Sequence, residues 1–190
     1  MLERVAAPRE GIALGAVTTG IGEIRIACTA HAVVAIALPG EELPSVVSHR
    51  SDEGRLETMA PYKNQATAAL IDQTSEELVA YVAGGLQRFT VPIAPAGSAF
   101  QQLVWGAVSE VPYGRTTTYG AVAAALGKPR AARAVGHANG ANPLPIIVPC
   151  HRLVGHDGSL TGYGGGLTLK RWLLDHERQH LRPWTEHMFV

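Results

Sequence analysis

The sequence predicts an α/β N-terminal half, a small sheet plus a helix, followed by a mostly α-helical C-terminal half built around a helix-turn-helix. Three observations predict it. Short apolar runs broken by Gly and polar residues crowd the first forty or so positions, as in a strand meander. Helical periodicity takes over after Ser98. Between the two lies "VPIAPAGS" (91–98), a Pro/Gly/Ala stretch that makes the natural junction and places the domains at 1–92 and 93–190. A chain of 190 residues has room for one large domain or two small ones.

The elements follow in order. "ALGAVTTGIGEIRIACTAHAVVAIAL" (13–38) reads as the meander. "QTSEELVAYVAGG" (73–85) reads as a helix capped by Thr74 or Ser75 and ended by Gly84-Gly85. "SAFQQLVWGAVSEVP" (98–112) places Phe100, Leu103, Val104, Ala107 and Val108 on one stripe, and Pro112-Tyr113-Gly114 stops it. "TTYGAVAAALGKPRAARAVGHANG" (117–140) holds two short helices. Thr117 or Thr118 can cap the first, Gly127 suits its C-terminal turn, and Pro129 suits the first turn of the second. That punctuation is the pattern of a helix-turn-helix.

Composition narrows the function classes. The formal net charge is zero, but from Ser98 onward nine basic residues face five acids, a charge of +4, which leaves −4 for the remainder. A basic half permits a nucleic-acid surface. Two cysteines, Cys28 and Cys150, are too few for a disulfide framework or a Cys-rich zinc site. His151 and His156 lie in a loop, and no metal and no cofactor is expected. No apolar run approaches the ~18 residues of a membrane span and no secretory signal is evident, so the expected setting is the cytoplasm, without a membrane partner.

The second helix of the pair has an unusual outer face. At ~100° per residue, Arg130, Arg133, Ala134 and His137 share one side, while Ala131, Val135 and Ala138 share the inward side. Cations stand on a backbone with almost no bulk. Such a helix can press into the minor groove, about 6 Å wide, with one long side chain as a wedge, and Arg133 is the candidate. A solvated face with ordinary arginines is the alternative.

A thiol and an imidazole adjoin in "PIIVPCHRLVG" (145–155). "PIIVPC" reads as an apolar β-like run whose two prolines fix the direction of Cys150. Neighbours on an extended chain face opposite ways, so His151 would reach the thiol through a water. In "LTLKRWLLDHE" (167–177), Glu177 shares a helical stripe with Leu169 and Leu173. A carboxylate there is costly unless hydrogen-bonded, and an imidazole N–H is a good donor. The three join into a relay. Glu177 orients His151, His151 takes a proton through water, and Cys150 becomes a thiolate nucleophile, its pKa lowered by nearby positive charge.

These segments, "FQQLVWGAVSEVPYGRTTTYGAVAAALGKPRAARAVG", "NPLPIIVPCHRLVG" and "GYGGGLTLKRWLLDHE", closely resemble the O6-alkylguanine-DNA alkyltransferases, the methylated-DNA–protein-cysteine methyltransferases, from about Phe100 to Glu177. The N-terminal half resembles that family only in outline. The resemblance implies a ribonuclease H-like N-terminal domain and a winged helix-turn-helix C-terminal domain. It implies a single-turnover suicide protein, a monomer, with scope for cooperativity on DNA. Its partner would be duplex DNA carrying O6-alkylguanine, and O4-alkylthymine as a further lesion, bound through the minor groove. The alkyl group would pass irreversibly to Cys150, with His151 and Glu177 behind it.

By the same resemblance, Arg133 is the finger that fills the gap of a flipped base, on a DNA-binding face made by Thr118, Arg130, Ala132, Ala134 and Gly136. Tyr119 helps rotate the nucleotide out and donates a hydrogen bond to the purine ring as it leaves. Asn142 is the hinge to the active-site segment. Pro145, Leu153, Tyr163 and Gly164 form the substrate pocket. Gly164, small where some members carry a hydroxyl, implies a roomier pocket. Gly140 stands where some relatives carry a basic residue. Cys28, without zinc ligands, reads as a structural thiol. Two other classes compete: a lesion-binding adaptor without chemistry, and a multiple-turnover cysteine hydrolase. A reactive Cys150 weighs against the first, and a thioether product against the second.

Overall fold

The computed structural model describes residues 11–44, 49–50, 56–57 and 64–181. The meander is an antiparallel sheet in the order β1-β2-β3, with β1 Ala13–Thr19, β2 Gly22–Cys28 and β3 Val33–Ala37. Alternation fixes its register: Ile24 and Ile26 of β2 lie buried, while Glu23 and Arg25 point to solvent. A register shift at Ala27/Cys28 turns the end of β2. A two-residue pair, β4 His49–Arg50 with β5 Leu56–Glu57, follows.

Helix α1 spans Gln65–Val82 and packs on the sheet through Leu70, Ile71, Leu78 and Tyr81. It starts nearly three turns before the expected cap. Asn64 is the N-cap, in a reciprocal capping box with Thr67. The expected caps sit mid-helix instead, where Thr74 and Ser75 bond back to the carbonyls of Leu70 and Ile71. The expected end holds: Gly84 takes a φ of 77°, which glycine adopts without strain.

The junction is not a free linker. Val33 of β3 donates to Pro92, and Ala94 donates back to Val33, so the stretch runs along the sheet edge. Helix α2, Ala99–Ser109, starts on a Ser98/Gln101 capping box. Its apolar stripe is rotated from the expected one. Trp105 is buried beside Val104 and Val108, and its indole donates to the Ala138 carbonyl, while Leu103 is 55% exposed.

Next comes β6, Thr117–Thr118, then helix α3, Tyr119–Ala125, capped by Thr118, and helix α4, Ala132–Gly140. Pro129 and Arg130 fall in the turn before α4 rather than in its first turn. Strand β7, Leu153–Val154, pairs in parallel with β6, and helix α5, Gly166–Gln179, closes the fold. One apolar core runs through both halves, from Ile24 and Leu78 to Val135, Leu144 and Leu173. No described helix is long and apolar enough to cross a membrane.

Candidate active site

Cys150 opens a 3-10 turn, Cys150–Arg152, in place of the expected extended run. The preceding "PIIVP" is itself a tight turn. Val148 donates to the Leu144 carbonyl, and Ile146 adopts a φ of 74°. A β-branched residue in that region is strained, and such strain survives only where the surroundings over-determine it. Asn142 supplies that determination. Its side chain accepts from the Leu144 N–H at 3.0 Å and donates to the Val148 carbonyl at 2.9 Å. Asn139 of α4 adds a bond of 3.2 Å to the carbonyl of Cys150. The segment that aims the thiol is thus tied to the end of the helix-turn-helix.

Behind the thiol lies a fully buried electrostatic cluster. Glu177 on α5 accepts from His151 Nε2 at 2.9 Å, from the Tyr81 hydroxyl at 2.7 Å and from the backbone N–H of Gly114 at 2.9 Å. Arg152 grips both carboxylate oxygens, with Nη2 at 2.8 Å, and also reaches the Val111 carbonyl. Burial alone would raise the Glu177 carboxyl. The hydrogen bonds from His151 and Arg152, with the charge of Arg152, outweigh it and hold the group down at about 2.

Burial pushes His151 below its ordinary value, against the opposing pull of Glu177, so the ring is neutral. Its Nε2 must then carry the proton that Glu177 accepts. Nδ1 is left as the acceptor, and it has no partner among the described residues. A neutral imidazole with one committed and one available nitrogen has the form a general base needs.

The thiol departs from the sequence expectation. Burial raises Cys150 to about 11, although a hydrogen bond from Asn142 and the charge of Lys170 pull it down. At rest the group is a thiol. Lys170, fully buried on α5, donates to the carbonyls of Leu153 at 2.6 Å and Thr161 at 3.1 Å. Desolvation lowers its pKa, and the Cys150 charge acts the other way.

Cys150 faces a cleft of about 690 Å³, including its open mouth. Asn142, Pro145, Tyr163 and Gly164 line this cleft with it, whereas Leu153 lies behind the wall with its carbonyl held by Lys170. Thr118 is committed to capping α3. The Tyr119 hydroxyl bonds Thr161 at 2.7 Å, and its ring passes over Gly136, where the missing side chain leaves 3.8 Å to a would-be Cβ. Arg133 and Ala134 of α4 are exposed, as is Arg130 before it, while Ala132 and Gly136 are half-buried. Gly164 does not enlarge the cleft, because the Glu41 carboxylate fills the space a side chain would take. Cys28 is buried against the Thr67 carbonyl, and the described residues hold no cluster of metal-ligating side chains.

Sequence reasoning overlooked Tyr81, Arg152, Lys170, Asn139 and Glu41. Arg152 and Lys170 entered the sequence reading only through the count of basic residues and the quoted segments. The orphan-charge argument that found Glu177 would also have flagged Lys170, one turn from Leu173 on the same helix. Tyr81, Asn139 and Glu41 gave no local signal.

Residues 99–179 match the family described as 6-O-methylguanine DNA methyltransferase, DNA binding domain. A methylated-DNA–protein-cysteine methyltransferase of Methanosarcina barkeri is 51% identical over 110 residues, which are 58% of this chain and 70% of that protein. Its counterpart in Methanosarcina acetivorans is 54% identical over 102 residues, 54% of this chain and 65% of that one. The crystal structure of Mycobacterium tuberculosis OGT in complex with DNA superposes with a TM-score of 0.73 at 37% identity, over 88% of this chain and 93% of the other.

Proposed function

The chain belongs to the methylated-DNA–protein-cysteine methyltransferase family, and from that premise we propose that it repairs DNA by moving an alkyl group from O6-alkylguanine in a duplex onto Cys150. One observation carries the reading. A buried, rigidly aimed thiol lies in an open cleft, with a neutral His151 bonded to an anionic Glu177 behind it. The exposed Arg133 and the thin outer face of α4 lie at the other end of the segment that Asn142 clamps.

The steps follow from these groups. Helix α4 lies in the minor groove, held by Arg130 and by the backbone around Ala132, Ala134 and Gly136, with Thr118 at the neighbouring helix start. Arg133 fills the stack as the damaged nucleotide leaves it. Flipping costs a few kcal/mol, less at a damaged pair. The base enters between Pro145, Tyr163 and Gly164. His151 Nδ1 accepts the thiol proton through a water, and the imidazolium that forms is stabilised by Glu177. The sulfur attacks the alkyl carbon, an S–C bond forms, and the bond from that carbon to O6 breaks. The purine leaves with the electron pair and takes a proton, helped by the Tyr119 hydroxyl, to become guanine. No tetrahedral intermediate forms, so no oxyanion hole is required. The thioether has no route to hydrolysis, so each molecule acts once. O4-alkylthymine fits the same displacement.

The test is a duplex with one O6-methylguanine, incubated with the protein and followed by mass analysis of the peptide bearing Cys150. One added methyl group on that peptide is expected, with a plateau at one lesion per molecule. Lesion binding without methyl gain would make it an adaptor, and continued turnover would make it a hydrolase; either ends the proposal.

A further inference from the structure

We propose that Glu41, contributed by the N-terminal half, sets which alkyl groups the cleft accepts, by turning away adducts that carry their own negative charge. The inference rests on Cys150 as the alkyl acceptor.

Glu41 stands just beyond the last strand of the sheet, yet it is a wall of the Cys150 cleft. Its position is fixed by a small reciprocal turn. The Glu41 N–H donates to the Leu38 carbonyl at 2.9 Å, and the Leu38 N–H donates to the Glu41 carboxylate at 3.2 Å. The carboxylate reaches across to Gly164, where Oε1 lies 2.5 Å from the place a Cβ would occupy. The glycine and the glutamate are therefore complementary: a side chain at 164 would have to displace the carboxylate. Tyr163 lies within reach of both charges. After burial, the charges of Cys150 and of Glu41 both raise its hydroxyl. The cleft therefore places the Glu41 carboxylate and the attacking sulfur around one ring.

The alkyl carbon under attack must sit against the sulfur, so the rest of the adduct extends into the space that Glu41 bounds. A methyl group is too short to sense the carboxylate. A group ending in a carboxylate meets a like charge in a half-wet cleft, and the described lining has a second acid, Glu42, but no Lys or Arg to offset it.

The experiment uses the full chain and three duplexes of one sequence, bearing O6-methyl-, O6-carboxymethyl- or O6-carbamoylmethylguanine. The last two differ by a charge at nearly equal size. The quantity read is the carbamoylmethyl-to-carboxymethyl rate ratio within each protein, so a general loss of activity cancels. Glu41→Gln is expected to lower that ratio roughly tenfold, the order of one like-charge contact. Glu41→Asp, which keeps the charge, should preserve it. Glu41→Ala serves as a second neutral variant should the glutamine variant misfold. The same ratio in wild type and in a neutral variant overturns the role of Glu41. Absence of methyl transfer to Cys150 in the wild type would instead overturn the functional reading beneath it.

Discussion

Helices α4 and α5 are both short and both carry cations, yet they use them in opposite ways. On α4 the inward positions Val135 and Ala138 are buried, and Arg133 and His137 project into solvent from an Ala- and Gly-rich backbone. On α5 the charges point inward: Lys170 and Glu177 are fully buried beside Leu173. A charge in solvent costs little and is free to meet a phosphate or a base stack. A buried charge is tolerated only when paired and hydrogen-bonded, and then it can control a neighbouring proton. In the proposed function α4 serves binding and the buried charges of α5 stand behind the thiol, while Asn139 and Asn142 tie the end of α4 to the Cys150 turn.

The comparison breaks most sharply at the thiol. Cys150→Ala should abolish transfer completely while duplex binding persists, since no α4 contact is touched; single-turnover repair and band shifts on the same variant check both halves. Glu177→Gln comes next. It leaves Arg152 and His151 buried without their anion, and is expected to cost about 3 kcal/mol in urea unfolding and to slow transfer at neutral pH. The wild type should also respond to acid. The folded Glu177 value of about 2 lies below its ordinary 4.5, so its stabilisation is complete above 4.5 and is lost as the pH falls toward 2. An acid limb absent from denaturation curves over that window would contradict the assigned cluster.

Arg133→Ala tests the exposed helix. Duplex repair should fall about tenfold, the equivalent of ~1.4 kcal/mol of lost stacking support. Reaction with free O6-benzylguanine should change little; equal losses on both would remove the finger role. The smallest effect belongs to a position on neither surface. Leu103→Ser, at a half-exposed site on α2, should shift stability by less than ~0.5 kcal/mol, against a loss several times larger had its side chain been in the core.

The fold was legible where one strong local signal decided each element. Short apolar runs broken by Gly and polar residues marked the meander, and Thr118 and Gly84 marked helix ends. It was illegible where a tertiary contact outvoted the pattern. Trp105 took the core place expected for Leu103, because its indole finds the Ala138 carbonyl. "PIIVPC" folded into a strained turn because Asn142 bonds it on both sides, a contact no propensity encodes. In the site, the apolar stripe around Glu177 exposed its need for a donor, and His151 was found from that. Of the other donors, Arg152 adjoins His151, but Tyr81 and the Gly114 N–H lie 96 and 63 residues away in sequence. Burial of Cys150 is likewise a property of the assembled fold, and it reverses the low resting pKa expected from neighbouring cations.

The pH dependence of transfer from an O6-methylguanine duplex, set beside that of iodoacetamide alkylation of the free protein, tests most directly whether the thiolate is made on demand. Alkylation of Cys150 should rise steeply only as the pH approaches its resting value of about 11, while transfer from the lesion proceeds at neutral pH. Transfer that vanished near neutrality and followed the alkylation curve would contradict a relay from Glu177 through His151.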